Sequence, residues 1–415
     1  MRNTDDIQIE SFCARAPALR VALVTETFPP EVNGVAMTLG RIVDGLLQRG
    51  HEVQVVRPRQ GREDDAERRP GLEQVLSHGV PIPRYPDLHF GLPSGSRLFK
   101  LWQKHRPDVV HVATEGPLGW SAVTAARKLQ IPVTSSFHTN FDHYTQHYGI
   151  GLLKNSIDAY LRKMHNRTQA TLVPTPALVQ ALESRGYKNV SVMSRGVAIE
   201  QFKPECRSAA LRASWGVAPD ALAVLHVGRL AKEKNVSTLL AAFAAIQVQR
   251  PDARLVFVGD GPLRKSLQET CPNAVFCGVR GGADLAAHYA SGDLFLFPSL
   301  SETYGNVVPE AMASGLAVLS YDRAAAGSLI RHGVSGELIA CEDEMGFIQA
   351  AVALACDAPR MQTLRSQAPQ SVAHLGWAAV YDGFIATLRG VINAHDAHPD
   401  EIRTRQAVAF SQPSA

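Results

Sequence analysis

The stretch DLFLFPSLSETYGNVVPEAMASGLAVLSYD, residues 293–322, contains two apolar runs separated by a loop and a helical pattern. DLFLFPS (293–299) and LAVLSYD (316–322) have the length and the composition of buried strands. Between them, Pro309 suits the first turn of a helix that continues through Met312. A strand, a helix and a second strand in this order predict a parallel pair joined by a crossover helix.

The same succession of strands and helices recurs along the chain. In the first half the strand-like runs are RVALVTETF (20–28), HEVQVVRP (51–58), DVVHVA (108–113) and IPVTSSFH (131–138). In the second half they are ALAVLHVGRL (221–230), ARLVFVGDG (253–261) and AVFCGV (274–279). Two such βαβ blocks predict an α/β fold with two doubly wound, parallel-sheet, Rossmann-like domains. GREDDAERR (61–69) is expected to be a solvated, charge-dense loop.

The chain of 415 residues is too long for a single hydrophobic core. Glycine and proline interrupt the pattern in GVAIEQFKPECRS (196–208), where we expect the join between the domains. The predicted parts are an N-terminal extension (1–18), an N-terminal domain (19–198), a C-terminal domain (199–374), a C-terminal helix that crosses back to the first domain (375–393) and a polar tail (394–415).

Composition narrows the class of protein. The net charge of +3 gives no indication of a nucleic-acid partner. Six scattered cysteines without a CxxC pair favour reduced thiols in the cytoplasm. The first residues contain acids and no long apolar run, and no uncharged apolar run reaches about eighteen residues. We therefore expect a cytoplasmic protein without a signal peptide or a transmembrane helix, whose contact with a membrane would be peripheral, on its inner face.

Two common nucleotide-binding motifs are missing from the sequence, but a pair of basic residues could bind a phosphate group. Neither GxGxxG after the first strand nor GxxxxGK[ST] occurs, which disfavours dinucleotide dehydrogenases and Walker-type ATPases. Arg229 and Lys234 follow the first strand of the second domain, and ligands of such sheets bind outside the carboxyl ends of the strands. A guanidinium and an ammonium together suit a pyrophosphate. The alternative is a solvated basic loop.

Two glutamates flank the loop before the helix that is predicted to begin near Pro309. Glu302 lies at the end of the strand, and Glu310 lies in the first turn of the helix, where the helix dipole favours an acid. The intervening loop and the helix start would present free backbone N–H groups to an anion. An ordinary loop acid and an ordinary helix acid are the alternatives. Together with the N–H groups, however, the two acids suit a ligand that carries both phosphates and hydroxyls.

At this point the chain resembles the retaining glycosyltransferases of family four, which have the GT-B fold: two Rossmann-like domains that face a central cleft. The resemblance rests on five segments in the family's order, from about residue 20 to 393. They are FPPEVNGV with Gly34, SSFHTNFDHY with His138, SRGVAIEQFKP, GRLAKEK with Arg229 and Lys234, and SETYGNVVPEAMASG with Glu302 and Glu310 in an E-x7-E signature.

The resemblance implies a role for each matching residue. Arg229 and Lys234 would clamp the donor diphosphate, while Glu302 and His138 would contact the transferred sugar; these four are the candidate catalytic residues. Glu310 would hold the ribose hydroxyls. The other candidate donor-binding residues are Gly34, Val279, Tyr304, Gly305, Asn306 and Val307. A satisfied histidine at a strand end is the alternative for His138.

The family's retaining, front-face mechanism needs no metal, and the chain has no Asp-x-Asp motif, so we expect neither a metal nor another cofactor. The expected reaction moves a hexose from a GDP- or UDP-sugar to an acceptor hydroxyl. VNGVAMTL and SFHTNF resemble the bacterial mannosyl- and glucosyltransferases that act on lipid acceptors. A partner subunit that binds a sugar nucleotide without transferring it is the alternative.

Two basic segments, 152–168 and 90–106, could form amphipathic helices that rest on an anionic membrane. In the first, the apolar stripe would contain Leu153, Ile157, Tyr160, Leu161 and Met164, with basic residues around it. Ordinary helices packed against the domain are the alternative for both segments.

Overall fold

The computed structural model describes residues 16–31, 33–61, 63–82, 85–138, 154–302 and 304–397, and these form two α/β lobes. The strands of the N lobe are β1 (Arg20–Val24), β2 (Glu52–Pro58), β3 (Arg68–Arg69), β4 (Leu72–Ser77), β5 (Gly79–Ile82), β6 (Tyr85–Gly91), β7 (Val109–Val112), β8 (Val133–Ser136), β9 (Ala170–Val173) and β10 (Val190–Val192). Its helices are α1 (Gly34–Gln48), α2 (Gly95–Lys104), α3 (Pro117–Lys128), α4 (Lys154–His165) and α5 (Pro176–Glu183).

The C lobe follows a short linker. Its strands are β11 (Ala223–Val227), β12 (Arg254–Val258), β13 (Val275–Phe276), β14 (Leu294–Phe297), β15 (Ala317–Tyr321) and β16 (Glu337–Ile339). Its helices are α6 (Ala209–Ser214), α7 (Val236–Gln249), α8 (Arg264–Thr270), α9 (Gly282–Ser291), α10 (Val307–Ala313), α11 (Ala324–Leu329), α12 (Glu344–Cys356) and α13 (Ala358–Val372). Short 3₁₀ turns occupy Pro204–Cys206, Lys232–Lys234 and Ala373–Leu375, and the last helix is α14 (Trp377–Ala397).

Both large sheets have the doubly wound strand order. The N-lobe sheet runs β10-β9-β8-β7-β1-β2-β4-β3, and the C-lobe sheet runs β13-β12-β11-β14-β15-β16. Every neighbouring pair in them is parallel except β3 with β4. The strand order reverses at β1 in one sheet and at β11 in the other, and the crevice outside such a reversal is where ligands bind. The two α/β domains expected from the sequence are confirmed.

The strands are apolar on both faces because helices cover both sides of each sheet. In β1, Val21 and Leu23 belong to the hydrophobic cluster that contains α1 residues, whereas Ala22 and Val24 belong to the cluster that contains α3 residues. This burial fixes the register of β1, so the loop that leaves its carboxyl end has one position relative to the crevice.

The sequence interpretation was wrong in three places. The strand predicted at 20–28 ends at Val24, because the Thr25 hydroxyl donates to the Thr27 carbonyl (2.7 Å) and the chain turns. The predicted solvated loop at 61–69 is partly ordered by Asp64, which accepts two hydrogen bonds from the buried Arg57 guanidinium (2.6 and 2.7 Å). The strand predicted at 274–279 covers only Val275–Phe276, before Gly278 takes a φ of +72°.

Residues 72–91, which come after the 61–69 loop, contain strands that the sequence did not indicate. Strand β4 extends the N-lobe sheet beside β2, and β5 and β6 form a separate antiparallel pair. This pair ends at Gly91, one side of the N-lobe crevice.

The last helix, α14, lies on the N lobe although it follows the C lobe in sequence. A Cβ at Gly45 of α1 would lie 2.4 Å from Cγ of Tyr381, so only glycine lets the two helices approach this closely. Arg49 pairs with Asp382 (2.7 Å), at the same interface. The chain therefore crosses between the lobes twice, and the Val197 N–H donates to the Leu375 carbonyl (2.9 Å) where the crossings meet.

The two candidate membrane helices turn their apolar sides inward. In α4, Leu161 and Met164 are buried, while Tyr160 remains exposed; Leu153 lies outside the described residues. In α2, Leu98 and Trp102 are buried. These buried side chains fit the alternative interpretation, in which both segments are ordinary helices packed against the domain. Within the ranges given above, no helix combines the length and the apolar character that crossing a bilayer requires.

Candidate active site

Loops from both lobes meet at the two strand-order reversals. The N lobe contributes Gly34 after β1 and His138 after β8, and the C lobe contributes the loops that leave β11 and β14. Strands β11 and β14 are neighbours, so the segments that carry Lys234 and Glu302 lie side by side. The sequence-predicted residues are thus on loops whose positions the two sheets determine.

Lys234 and Glu302 form the ion pair at the centre of the C-lobe crevice. The Lys234 ammonium donates to Oε1 of Glu302, and the Ser299 hydroxyl donates to the same oxygen (2.8 Å). The side chains are only 17% and 14% exposed. Backbone bonding joins the two loops as well, because the Leu300 N–H donates to the Glu233 carbonyl (3.1 Å). The cation expected to bind phosphate is therefore held beside the acid expected to bind the sugar.

Arg229 differs from Lys234 in its surroundings. Its side chain is exposed and, among the described residues, makes no ion pair. Gly228 before it, just after β11, has a φ of +147°. An anion could pair with the Arg229 guanidinium without displacing an ion pair among the described residues.

The loop from Tyr304 to Asn306 turns at its glycine. Gly305 has a φ of +86°, a left-handed conformation that favours glycine. The Tyr304 ring is buried and its carbonyl accepts from the Ala325 N–H (2.8 Å), while burial raises the pKa of its hydroxyl to about 12. Val307 then begins α10, and it is partly buried.

Glu310 lies in the first turn of α10, as predicted, but its environment is more apolar than a helix terminus suggests. Burial raises its pKa from 4.5 to about 7, although the hydrogen bond from Tyr289 and the charge of Arg41 act in the opposite direction. The Tyr289 hydroxyl donates to Oε2 at 2.9 Å. One carboxylate oxygen thus has a protein donor, and the group remains available to accept from a ligand hydroxyl.

His138 is partly buried in the N-lobe part of the crevice, with its Nε2 atom out of contact with solvent, and its ring is neutral there. Burial lowers its pKa well below 6.5, and Arg195 contributes in the same direction. The Arg195 guanidinium approaches Nδ1 of His138 at 3.4 Å. Because arginine can only donate, Nδ1 must accept, and the ring proton is then on Nε2.

At Gly34 the N lobe comes near the C-lobe loop that contains Asn306. A Cβ built on Gly34 would lie 3.5 Å from Nη1 of Arg195 and 3.8 Å from Nδ2 of Asn306. Asn33 before it caps α1, accepting hydrogen bonds from the N–H groups of Val35 (3.1 Å) and Ala36 (2.9 Å). Gly34 therefore lies at a fixed helix start that faces the other lobe.

Val279 is the remaining predicted residue. It follows β13, and the residue is 72% exposed, so the prediction that its backbone binds the base stays a prediction. It belongs to the C-lobe sheet edge but has no described contact with the residues around Glu302.

Three charged residues near the crevice were not identified from the sequence. Arg195 lies in the SRGV segment quoted above, but a single arginine beside a glycine matches no spacing pattern that would indicate a binding residue. Glu115 accepts from the His138 N–H (3.2 Å) and lies 3.6 Å from Nε2 of His165, so it holds the end of β8. Glu26 accepts from the Leu118 N–H (3.2 Å) at the start of α3, and burial raises its pKa to about 7.

Four buried polar atoms around this crevice have no hydrogen-bond partner among the residues described. They are Nε2 of His138, Nε of Arg195, Oη of Tyr304 and Oδ1 of Asn306. Buried polar groups in folded proteins are nearly always paired with protein, water or a ligand, so these four atoms can pair with a polar ligand. With Arg229, Lys234 and two carboxylates nearby, the arrangement can bind phosphate oxygens and several hydroxyls. The described part of the chain contains no cluster of histidine, cysteine, aspartate and glutamate suited to a metal ion.

Comparisons with known proteins identify the family to which the chain is similar. Residues 32–201 match Glycosyltransferase Family 4, and residues 221–357 match Glycosyl transferases group 1. A GDP-mannose-dependent alpha-mannosyltransferase of Mycolicibacterium smegmatis is 35% identical over 382 residues, which is 90% of this chain and 98% of that protein. An alpha-monoglucosyldiacylglycerol synthase of Streptococcus pneumoniae is 27% identical, covering 79% of this chain and 76% of its own.

The fold has close counterparts among solved structures. Sucrose-phosphate synthase from Thermosynechococcus elongatus superimposes with a TM-score of 0.73 at 19% identity, covering 91% of this chain and 100% of its own. At this identity the likeness establishes the fold, which is GT-B. The family matches and the mannosyltransferase relative go further: the chain belongs to the family 4 glycosyltransferases.

Proposed function

We propose that the protein is a retaining hexosyltransferase that moves a mannose- or glucose-type sugar from a nucleoside diphosphate to a hydroxyl of a lipid or glycolipid acceptor. The observation that carries the proposal is a set of four buried polar atoms, beside the Lys234–Glu302 pair, that have no hydrogen-bond partner within the described part of the chain. The relatives named above, one GDP-mannose-dependent and one a glucosyldiacylglycerol synthase, support this choice of donor and acceptor.

Each part of the donor has a complementary group in this proposal. The diphosphate binds Arg229, Lys234 and the backbone at Gly305, where glycine allows close approach. The ribose hydroxyls donate to Glu310, and the base binds the backbone at Val279. The hexose lies between Glu302 of the C lobe and His138 of the N lobe, whose Nε2–H donates to a sugar hydroxyl.

In the reaction step, the bond between the anomeric carbon and the diphosphate oxygen breaks while the acceptor oxygen bonds to the same face of that carbon. The acceptor proton passes to the leaving phosphate oxygen, so no protein base is required. The protein stabilises the negative charge that develops on the diphosphate, through Arg229 and Lys234. Glu302, paired with Lys234, stabilises the positive charge on the sugar ring.

The two cations occupy the role that a divalent ion has in metal-dependent transferases, and we propose that transfer needs no metal. A chelator experiment tests this point. We expect the rate to be unchanged in EDTA, and restoration of lost activity by added Mg²⁺ or Mn²⁺ would contradict the proposal.

We also propose that the acceptor is reached at an anionic membrane surface. Phe90 and Leu92 are exposed at the end of β6, 38% and 41% respectively. Arg97, Lys100 and Lys104 follow on the neighbouring helix α2, where they are exposed. Apolar side chains beside lysine and arginine suit the interface of a bilayer that contains anionic lipid.

A donor and acceptor assay tests the function as a whole. The purified protein is incubated with GDP-mannose or UDP-glucose and with diacylglycerol in mixed micelles, and the anomeric configuration of the product is read by NMR. We expect one donor to give an α-linked glycolipid. Inversion at the anomeric carbon would contradict the mechanism. Donor binding without turnover on any hydroxyl acceptor would favour the alternative, a binding subunit.

A further inference from the structure

Arg195 is an unusual charge for a protein interior. Its side chain lies at the carboxyl end of β10, in the linker between the lobes, and the residue is only 7% exposed. Among the described residues no carboxylate lies within ion-pair distance of its guanidinium, and its Nε atom has no hydrogen-bond partner. A buried charge without a counter-ion is strongly unfavourable, so the free protein maintains Arg195 at a cost in stability.

The neighbours of Arg195 are the groups of the proposed donor site. Nη2 lies 3.4 Å from Nδ1 of His138, and Nη1 lies 3.5 Å from the Cβ position of Gly34. On the C-lobe side the guanidinium carbon lies 5.7 Å from the centre of the Tyr304 ring, within cation–π range. Arg195 therefore contacts both lobes where they converge.

The nearby charges do not neutralise it. Burial lowers the pKa of Arg195 from 12.5 to about 10, which leaves the guanidinium charged at neutral pH. Tyr304 and then Glu302 act in the opposite direction on that pKa, but the Glu302 carboxylate is already paired with Lys234. Counting only the residues that the structure describes, positive charge around Arg195 exceeds negative charge, and an anionic ligand would balance it.

We propose that Arg195 is a third cationic residue of the donor site, which binds the diphosphate and, through Nδ1 of His138, directs the Nε2–H of that ring to the same ligand. This inference rests on the proposed function, because it takes a nucleoside diphosphate sugar as the ligand. A planar guanidinium offers parallel donors that suit two phosphate oxygens, which a lysine cannot reproduce. Arg195 then contributes charge from the linker, independently of Arg229 and Lys234.

The test compares the variant Arg195→Met with Arg57→Met. Arg57 is also a buried arginine, but it is paired with Asp64. Stability is measured by urea unfolding without ligand, and affinity is measured by calorimetry with GDP, UDP and the corresponding nucleotide sugars. We expect Arg195→Met to be at least as stable as the wild type and to bind the diphosphate about tenfold to a hundredfold more weakly. Arg57→Met should show the reverse, with lower stability and unchanged affinity.

Each other outcome is decisive. Unchanged diphosphate affinity in Arg195→Met overturns the inference, and so does a loss seen only with the complete nucleotide sugar, which would place the contact on the hexose. If Arg195→Met does not fold, Arg195→Lys retains the charge and should bind the diphosphate with an affinity between those of the wild type and Lys234→Ala; wild-type affinity would overturn the inference. A wild-type protein that binds neither GDP nor UDP would instead refute the proposed function itself, and this inference with it.

Discussion

The variant Glu310→Gln should make the protein more stable at alkaline pH. In the wild type, burial raises the pKa of Glu310 from 4.5 to about 7. A raised carboxyl pKa means that the folded state binds the proton more tightly than the unfolded state does. Stability is therefore lost as the pH rises from 4.5 through 7. At about 1.4 kcal/mol per pH unit, this displacement corresponds to about 3 kcal/mol at most.

Glutamine removes the buried charge while its amide oxygen can still accept from the Tyr289 hydroxyl, 2.9 Å away in the wild type. We expect the free energies of unfolding of wild type and variant to differ by about 2.5 kcal/mol more at pH 8 than at pH 5, in favour of the variant. Glu26, with a pKa also raised to about 7, is present in both proteins and cancels in the difference.

The assay is urea unfolding at both pH values, with Glu269→Gln as the control because Glu269 is exposed. The same variant should bind a nucleotide sugar about tenfold more weakly at pH 8, since a charged acceptor for ribose hydroxyls becomes neutral. Wild-type affinity should rise with pH through about 7 and variant affinity should not. An unfolding difference equal at pH 5 and pH 8 would refute the reasoning.

Four further predictions follow from the site. Lys234→Ala should lower transfer by a hundredfold or more, about 3 kcal/mol of barrier, with its circular dichroism unchanged; the neighbouring exposed Lys232→Ala should retain activity, and near-normal turnover of Lys234→Ala would exclude the proposed clamp. His138→Ala should reduce turnover without changing affinity for the free nucleoside diphosphate, and a loss of that affinity would place His138 on phosphate instead. Gly34→Ala should fold normally, since its Cβ meets only ordinary contacts at 3.5 and 3.8 Å, but should raise the KM for donor; an unchanged KM would show that no ligand uses this gap. Co-sedimentation with anionic vesicles should be lost in Phe90→Ser/Leu92→Ser and kept in Val248→Ser, an exposed valine of α7; equal binding by both would rule out the β6 end as the contact.

The fold could be predicted because parallel strands buried on both faces produce apolar runs that stand out in sequence. The candidate site could be located for a related reason: doubly wound sheets place the loops after β1, β8, β11 and β14 near one crevice, and Gly34, His138, Lys234 and Glu302 lie in those loops. Short strands such as β5 and β6 were missed because proline, glycine and charged residues interrupt their apolar pattern.

The sequence could not predict which residues, distant from one another along the chain, would be in contact in the folded protein. Glu310 was expected to be stabilised as an anion by the dipole of its helix, yet burial against Tyr289 of α9 has the larger effect on its pKa. Arg195 had no motif to mark it, because its significance comes from His138 and Tyr304, which belong to different lobes. Such properties depend on burial and on distances that no spacing rule contains.

The return of α14 to the N lobe has a consequence for the order in which the protein is completed on the ribosome. Trp377, Phe384 and Leu388 of α14 belong to the same hydrophobic cluster as Leu39 and Ile42 of α1. The N lobe is translated first, but this surface stays uncovered until residues 377–397 have emerged. The chain of the C lobe is continuous from the linker to α13. The C lobe can therefore finish folding as a unit before the N lobe does, although the N lobe is synthesised first. In topological terms, the C lobe is an insertion in the N lobe.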